Sequence, residues 1–214
     1  VLGLTPANGA APFITTAARQ GGASGIMGLR QIRQRLQRER AAAQRRFRRQ
    51  KNANLLARSG AHEFVVILDG LKPAFNIGKI FRSADAFGAR EIHLVGIDFF
   101  DPAPAMGSFK WVPARFHERF ETCFQDLRGR GYTLFMLDPV QGVPLSEITL
   151  PRRSGFIFGH EERGLSDAIT ACPGIRALSI PQFGRVQSLN VSIAASVAMW
   201  EYLRQHPLKP SATP

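Results

Sequence analysis

The stretch Glu63–Gly96 constrains the fold of this chain more than any other. EFVVILDG (63–70) is a β-branched apolar run stopped by Asp-Gly, the pattern of a buried strand. Asn76 opens a helix to about Phe87, with Ile77, Ile80, Phe81, Ala84 and Phe87 on its apolar side and Gly88 as its stop. Glu91–Gly96 is the next strand. A strand, a helix and a second strand in that order form a β-α-β unit, which implies a parallel pair with a right-handed crossover. The alternation continues downstream. Residues 98–113 form a long Gly/Pro loop, Arg115–Arg128 reads as a helix, and Tyr132–Leu137 as a strand. Residues 138–154 are irregular, with at most a helical turn in GVPLSEI. Gly155–Phe158 is a strand, Leu165–Ala171 a short helix, Ile175–Ile180 a strand, and Asn190–Gln205 the last helix, followed by a loose tail. The class is α/β with a parallel sheet.

Three stretches of this frame carry candidate chemistry. In IPQFGRVQSLNVSIAA (180–195) a strand ends, a Pro/Gly loop follows, and Asn190 stands where a helix N-cap belongs, with Ser188 just outside it. Such a loop exposes backbone groups beside a helix start, a common way to hold a small polar ligand; the plain alternative is a well-capped β–α turn. In GFIFGHEERGLS (155–166) Gly159 follows a strand and Glu161 lies in the next turn, at the sheet end where α/β ligands sit. Glu161 also suits a first-turn acid or an ion-pair partner. In FNIGKIFRSADAFG (75–88) Asn76 can cap the helix and Gly78 lets another segment approach closely. Arg82 reads by itself as a surface arginine or an ion-pair partner.

Charge adds a partner class. The 214 residues carry a net +12, and residues 27–58 alone hold 11 Arg/Lys against one acid. Leu29, Ile32, Leu36, Ala43 and Phe47 recur there at helical spacing, so this is an amphipathic basic helix, or two broken near Lys51–Asn54. Its apolar stripe is thin, so it needs RNA or the body of the protein to order it. A balanced body with a cationic arm suits a polyanion, RNA or DNA, ahead of an acidic membrane surface, and its binding would be salt-dependent. A solvated basic helix is the plain alternative. Arg30, Arg33, Arg45, Arg46, Arg48 and Arg49 are the candidate phosphate contacts. Residues 1–26, rich in Gly, Ala, Thr and Pro, read as flexible. The expected layout is therefore a flexible 1–26, a basic arm 27–58, a domain 60–206 and a flexible tail 207–214.

Cys123 and Cys172 make neither a disulfide scaffold nor a metal-ligand spacing, so no metal is expected and a reducing, cytoplasmic setting is. No run approaches the roughly 18 apolar residues of a membrane span. The mildly apolar amino terminus has no basic leader, so a signal peptide is not expected.

Taken together and in this order, the 75–88, 155–166 and 180–195 stretches resemble the three motifs of the SpoU/TrmH family of RNA ribose 2'-O-methyltransferases, within the SPOUT superfamily. The resemblance covers about Phe64–Gln205. It implies a parallel-sheet SPOUT fold with a C-terminal trefoil knot, here preceded by a basic helical arm. It further implies S-adenosylmethionine as cofactor, a homodimer, and tRNA or rRNA as substrate. By resemblance the catalytic set is Arg82, Asn76, Glu161, Ser188 and Asn190. Arg82 matches an invariant arginine proposed to act on the 2'-hydroxyl. Its pKa above about 12 makes arginine a poor base, so a bidentate grip on the phosphate beside the target ribose is favoured. Ser188 and Asn190 would bind ribose or phosphate oxygens, with helix capping the rival role for Asn190.

The implied cofactor contacts are Phe158, Gly159, His160, Glu161, Gly164, Ile180, Gln182, Ser188 and Leu189, largely through backbone groups, with Leu189 against the adenine. The chain departs from the family where His160 stands for a frequent asparagine, Glu162 for a small residue and Gln182 for a common methionine. His160 beside two acids also admits an acid/base reading. Lys110-Trp111, in GSFKWV, resembles a family loop near the RNA face or dimer contact, where Trp111 stacks on a base or simply packs. Val197, Ala198, Met199 and Trp200 of the last helix serve a dimer face or the interior. Two rivals stand beside this reading. One is a non-enzymatic RNA-binding or assembly protein that kept the fold. The other is a dinucleotide enzyme, and Asp69-Gly70-Leu71-Lys72 lacks the Gly-x-Gly-x-x-Gly turn that it requires.

Overall fold

The computed structural model describes residues 22–161, 163–186 and 188–208, and of residues 22–27 only the backbone. The expected flexible stretch up to residue 21, the tail from 209, and Glu162 lie outside the described residues. The chain divides at Arg40–Ala41 into two units, each taken by itself.

The helix α1 spans Gly22–Asn54 without a break. It starts earlier than the basic run, so residues 22–26 are helical and not the expected flexible coil. It also passes through Lys51–Asn54, where a break seemed open, because no Gly or Pro interrupts residues 29–54. Up to Arg40 the stripe Leu29, Ile32 and Leu36 is exposed, and Arg35 pairs with Glu39 one turn on, at 2.9 Å.

From Ala41 the same helix belongs to the body. Phe47 is buried, with its ring 5.2–5.7 Å from those of Phe99, Phe100 and Phe109. Asn54, the last residue of α1, donates to the carbonyls of Phe109 (2.6 Å) and Val112 (2.7 Å) and accepts from the Ala114 amide (3.0 Å). One side chain thus satisfies two carbonyls of the long 98–113 loop and the first amide of the strand that follows it; the loop otherwise holds only two short 3-10 turns, Ala103–Ala105 and Ser108–Lys110.

The sheet has seven strands, all parallel: β1 Val65–Asp69, β2 Glu91–Val95, β3 Ala114–His117, β4 Thr133–Leu137, β5 Val143–Pro144, β6 Ser154–Phe158 and β7 Arg176–Ser179. Their order is β3-β2-β1-β6-β4-β7-β5. Helices α2 (Phe75–Ala86) and α5 (Val191–Gln205) pack on one face, and α3 (Phe120–Gly129) and the short α4 (Asp167–Thr170) on the other. The period of two along each strand sorts the core accordingly: Val66, Leu68, Ile92, Leu94 and Phe156 face α2 and α5, whereas Val65, Ile67, Val95 and Ile157 face α3.

Two expectations fail here. Residues 114–117 form an edge strand beside β2 where a helix was expected to begin, and α3 starts only at Phe120. Ala114 and Phe116 pack against the α2/α5 side of the core while Arg115 reaches Glu91, an alternation that the helical spacing further on obscured. Residues 143–144 form a strand on β7, followed by the 3-10 turn Leu145–Glu147, where only a helical turn was expected. Gly78 behaves as expected: a Cβ there would lie 2.9 Å from the Ala105 amide, so the 103–105 turn sits directly on α2.

Under α3 lies a polar network. Glu91 is buried and accepts from His93 Nε2 (3.1 Å), Arg115 Nε (2.8 Å) and Arg130. Burial by itself pushes this carboxyl up, but the bonds from His93, Arg115 and Arg130 overcome it and hold Glu91 well below the usual glutamate range. Among the described residues no helix is long and apolar enough to cross a membrane.

Two outcomes follow from this packing. Asn54→Ala lowers unfolding stability in urea by roughly 1–3 kcal/mol, because buried backbone groups lose their partner. Glu91→Gln costs roughly 3 kcal/mol near neutrality, since Arg130 and His93 stay behind. A depressed folded pKa contributes stability that is present above the unfolded value of 4.5 and lost as pH falls below it. The gap between the two proteins in denaturation curves is therefore constant from pH 7 to about 4.5 and narrows steadily from there to pH 3.

Candidate functional site

The carboxyl ends of β4, β6 and β7 surround a cavity of about 390 Å³. It sits where the strand order reverses, since β6 is inserted between β1 and β4 after the chain has already run outward through β2 and β3. One wall comes from the turn after β6, with Phe158, Gly159, His160 and Glu161. A second comes from β7 and the loop after it, with Leu178, Ile180 and Gln182. A third is Ser188, Leu189 and Asn190 at the start of α5. The turn after β6 is tight because His160 and Gly164 exchange both backbone bonds at 2.8 Å. A Cβ on Gly159 would lie 2.4 Å from the Gly164 carbonyl oxygen, so only glycine permits this closure.

At the mouth, Glu161 joins three chain segments. Its Oε1 accepts from Asn76 Nδ2 at 2.5 Å and from Asn190 Nδ2 at 3.0 Å, and its own amide donates to the Lys72 carbonyl at 3.4 Å. Its Oε2 has no partner among the described residues. Asn190 also caps α5, as the sequence suggested: Oδ1 accepts from the Ser192 amide (3.0 Å) and from Ser192 Oγ (2.6 Å). Farther along, Ser196 Oγ donates to the Ser192 carbonyl and meets Ser83 Oγ at 2.8 Å. A polar seam therefore fastens α5 to α2 from the cavity mouth downward.

Eight of the nine expected cofactor contacts line the cavity. The ninth, Gly164, closes the turn behind His160. Of the expected catalytic residues, Glu161, Ser188 and Asn190 line it. Asn76 does not cap its helix, which begins at Phe75 after Ala74 with no side-chain cap. It is instead fully buried one position inside α2, held on Glu161. Arg82 lies two turns further on α2, exposed, outside the cavity lining, and makes no hydrogen bond or ion pair with described residues. Arg82 is thus placed as a surface arginine with no ion-pair partner among the described residues.

The sequence reading missed Leu137, the last residue of β4, and Asp138 and Pro139, which follow it and complete the cavity. Asp138 Oδ1 accepts from the amides of Val140 (2.8 Å) and Gln141 (3.2 Å), which fixes the carboxylate at the cavity edge. A strand ending in Asp-Pro was the available signal, but it gave no hint that β4 lies beside β6 and β7.

The candidate phosphate contacts divide. Arg45, Arg48 and Arg49 are exposed, whereas Arg46 forms a two-point bond with Asp101 (3.1 and 2.7 Å). Trp111 is 61% exposed with Lys110 Nζ 4.8 Å over its ring, so it does not simply pack. Arg30 and Arg33 are exposed on the first part of α1.

A second group of possible ligand atoms is His93 Nδ1, His117 Nε2 and Cys123 Sγ, all within 4.8 Å of one another. The two nitrogens are 2.9 Å apart, with ring planes 8° apart and centroids 5.1 Å apart. They point at each other in a common plane, the geometry of an N–H···N bond rather than of lone pairs converging on an ion.

Residues 63–200 match the SpoU rRNA Methylase family. Over 174 residues the chain is 33% identical to a tRNA (guanosine(18)-2'-O)-methyltransferase of Thermus thermophilus, covering 78% of this chain and 86% of that one. Two solved structures are similar with TM-scores of 0.62. An AdoMet-bound rRNA methyltransferase from Sinorhizobium meliloti is 27% identical, covering 73% of this chain and 61% of that one. The SpoU methyltransferase AviRb from Streptomyces viridochromogenes, in complex with AdoMet, is 29% identical, covering 68% and 58%. The chain thus spans most of the Thermus protein but less than two thirds of either solved structure.

The Glu161 junction yields a measurable outcome. Glu161→Ala strips the acceptor from the buried Asn76 amide and lowers stability by roughly 1–3 kcal/mol in chemical denaturation. Glu161→Gln keeps an acceptor oxygen and recovers most of that loss.

Proposed function

The chain belongs to the SpoU rRNA Methylase family, and from that premise we propose that it methylates a ribose 2'-hydroxyl of a tRNA or rRNA, with S-adenosylmethionine as the methyl donor. The observation that carries this reading is the cavity at the ends of β4, β6 and β7, assembled from two of the three motif stretches and joined through Glu161 to the third, on α2.

The residues fit the donor. Leu137, Leu178, Ile180 and Leu189 give an apolar slot suited to a purine, and the Asp138 and Glu161 carboxylates give places for ribose hydroxyls and a positively charged amino-acid end. Bound there, the sulfonium supplies an activated methyl group, so no metal is required. What remains for the protein is to hold the ribose hydroxyl, exclude water and let one proton leave. Ser188, at the cavity mouth, binds a ribose or phosphate oxygen of the RNA. Arg82, an exposed guanidinium on the helix that Glu161 anchors through Asn76, grips the phosphate next to the target ribose and orients the hydroxyl. Its high pKa argues against a role as base, and the proton leaves through the phosphate or water.

Three further features belong to this proposal. The carboxyl segment forms a knot in this reading, supported by the place of β7 between β4 and β5 and by the close approach of the 138–142 connection to it, where a Cβ on Gly142 would lie 2.2 Å from the Leu178 carbonyl carbon. The protein is a homodimer through α2 and α5, where Phe75, Ile193 and Trp200 are exposed, the last two on one stripe seven residues apart. The basic arm and the Lys110–Trp111 pair hold RNA, in a cytoplasmic setting.

The test is transfer of a labelled methyl group to fractionated cellular RNA. Label mapped to a ribose in one RNA class is expected, and Arg82→Ala reduces turnover at least 100-fold with a far smaller loss of RNA affinity. Absence of transfer and of cofactor binding would favour the non-enzymatic RNA-binding reading. Trp200→Asp gives monomers in analytical ultracentrifugation. Removing residues 1–40, which leaves Phe47 and Asn54 in place, weakens RNA binding and flattens its salt dependence.

A further inference from the structure

One polar atom in the cavity wall is left over. Gln182 lines the cavity along with Ile180, and its Oε1 is closed off from solvent yet accepts no hydrogen bond from the described residues. A buried acceptor without a donor is rare and calls for an explanation. Two other such atoms, Gln50 Oε1 and the Tyr132 hydroxyl, belong to residues away from the cavity. The terminal torsion of a glutamine is soft and two-fold, so the oxygen turns toward the cavity at little cost once a donor arrives there.

The chemistry of that donor is restricted by its surroundings. An amide oxygen only accepts, so its partner carries an N–H or O–H. Gln182 shares the cavity wall with Leu178 and Ile180 of the same chain segment, and with Leu189 these give the cavity an apolar part, hydrocarbon that suits a flat neutral ring and disfavours a charged ammonium. An ammonium finds the carboxylates of Asp138 and Glu161 on the same cavity. A ribose hydroxyl both donates and accepts and is better matched by a carboxylate than by a single orphan acceptor. The exocyclic amine of adenine is a neutral donor on an apolar ring and meets every condition.

We propose that Gln182 is a specificity-determining residue of this site, its side-chain oxygen accepting a hydrogen bond from the adenine amino group of the methyl donor. The assignment rests on the methyl-donor reading above. It gives a role to the polar residue that stands where a methionine is common in the family.

Calorimetry on the full chain tests it with two probes: S-adenosylhomocysteine, and its analogue with hydrogen in place of the purine amine. The protein as it stands binds the amino compound about tenfold more tightly, because the analogue leaves the Gln182 oxygen unpaired. Gln182→Met, of similar length and without the acceptor, loses that preference while keeping its melting temperature. Gln182→Glu, which retains an acceptor oxygen, keeps the preference. Equal affinity of the unaltered protein for both probes overturns the assignment. So does an undiminished preference in Gln182→Met, or its loss in Gln182→Glu, which would trace the effect to loop shape. Failure of both probes to bind the unaltered protein overturns the methyl-donor reading itself, an outcome distinct from these.

Discussion

The pairing of β6 with β1 on one edge and β4 on the other governs the rest of this molecule. Each of its five residues is buried, and its register sets Phe158 beside Leu68 of β1 and Ile157 beside Met136 of β4. Because all these strands are parallel, that register also fixes where they end, and the chain segments leaving their carboxyl ends are gathered on one side. The turn after β6 then stands within reach of α2, which follows β1, and of α5, which follows β7. Three motifs up to 114 residues apart, from Asn76 to Asn190, meet there through one carboxylate oxygen of Glu161.

The two glutamate junctions of the body illustrate how burial and bonding divide structural from functional roles. Glu91 is enclosed and has all of its partners supplied by the protein: a histidine and two arginines. Such a group holds α3 and the edge strand together and leaves nothing for a ligand. Glu161 is exposed at a cavity mouth, bonded through one oxygen, with no partner among the described residues for the other. Its two asparagine partners are neutral, and neither is an ion-pair partner.

Helix α1 combines two tasks that its composition blurs into one. The charge pattern runs almost evenly across residues 27–58, which made the whole run look like a single arm. Phe47 and Asn54 show otherwise for the second part: an aromatic cluster and three backbone bonds make it a splint for the 98–113 loop. Arg46 is spent on Asp101 in the same splint. The arginines left exposed lie on both sides of Arg40, so cationic character extends from the arm onto the body itself.

Sequence alone determined the α/β alternation, the parallel sheet, the three stretches that meet at Glu161 and the cap at Asn190. Each of these is local: β-branched runs, helical spacing, Gly and Pro stops and a capping amide act within a few residues and leave their mark in the chain order. Only the tertiary structure decided the strand order, the edge strand at 114–117 and the place of β4 in the cavity wall. The same holds for Asn76, which reads locally as a cap and is in fact the buried anchor of Glu161. These features depend on which strand lies beside which, a contest among long-range pairings that differ little in local preference and are settled by packing on both faces of the sheet.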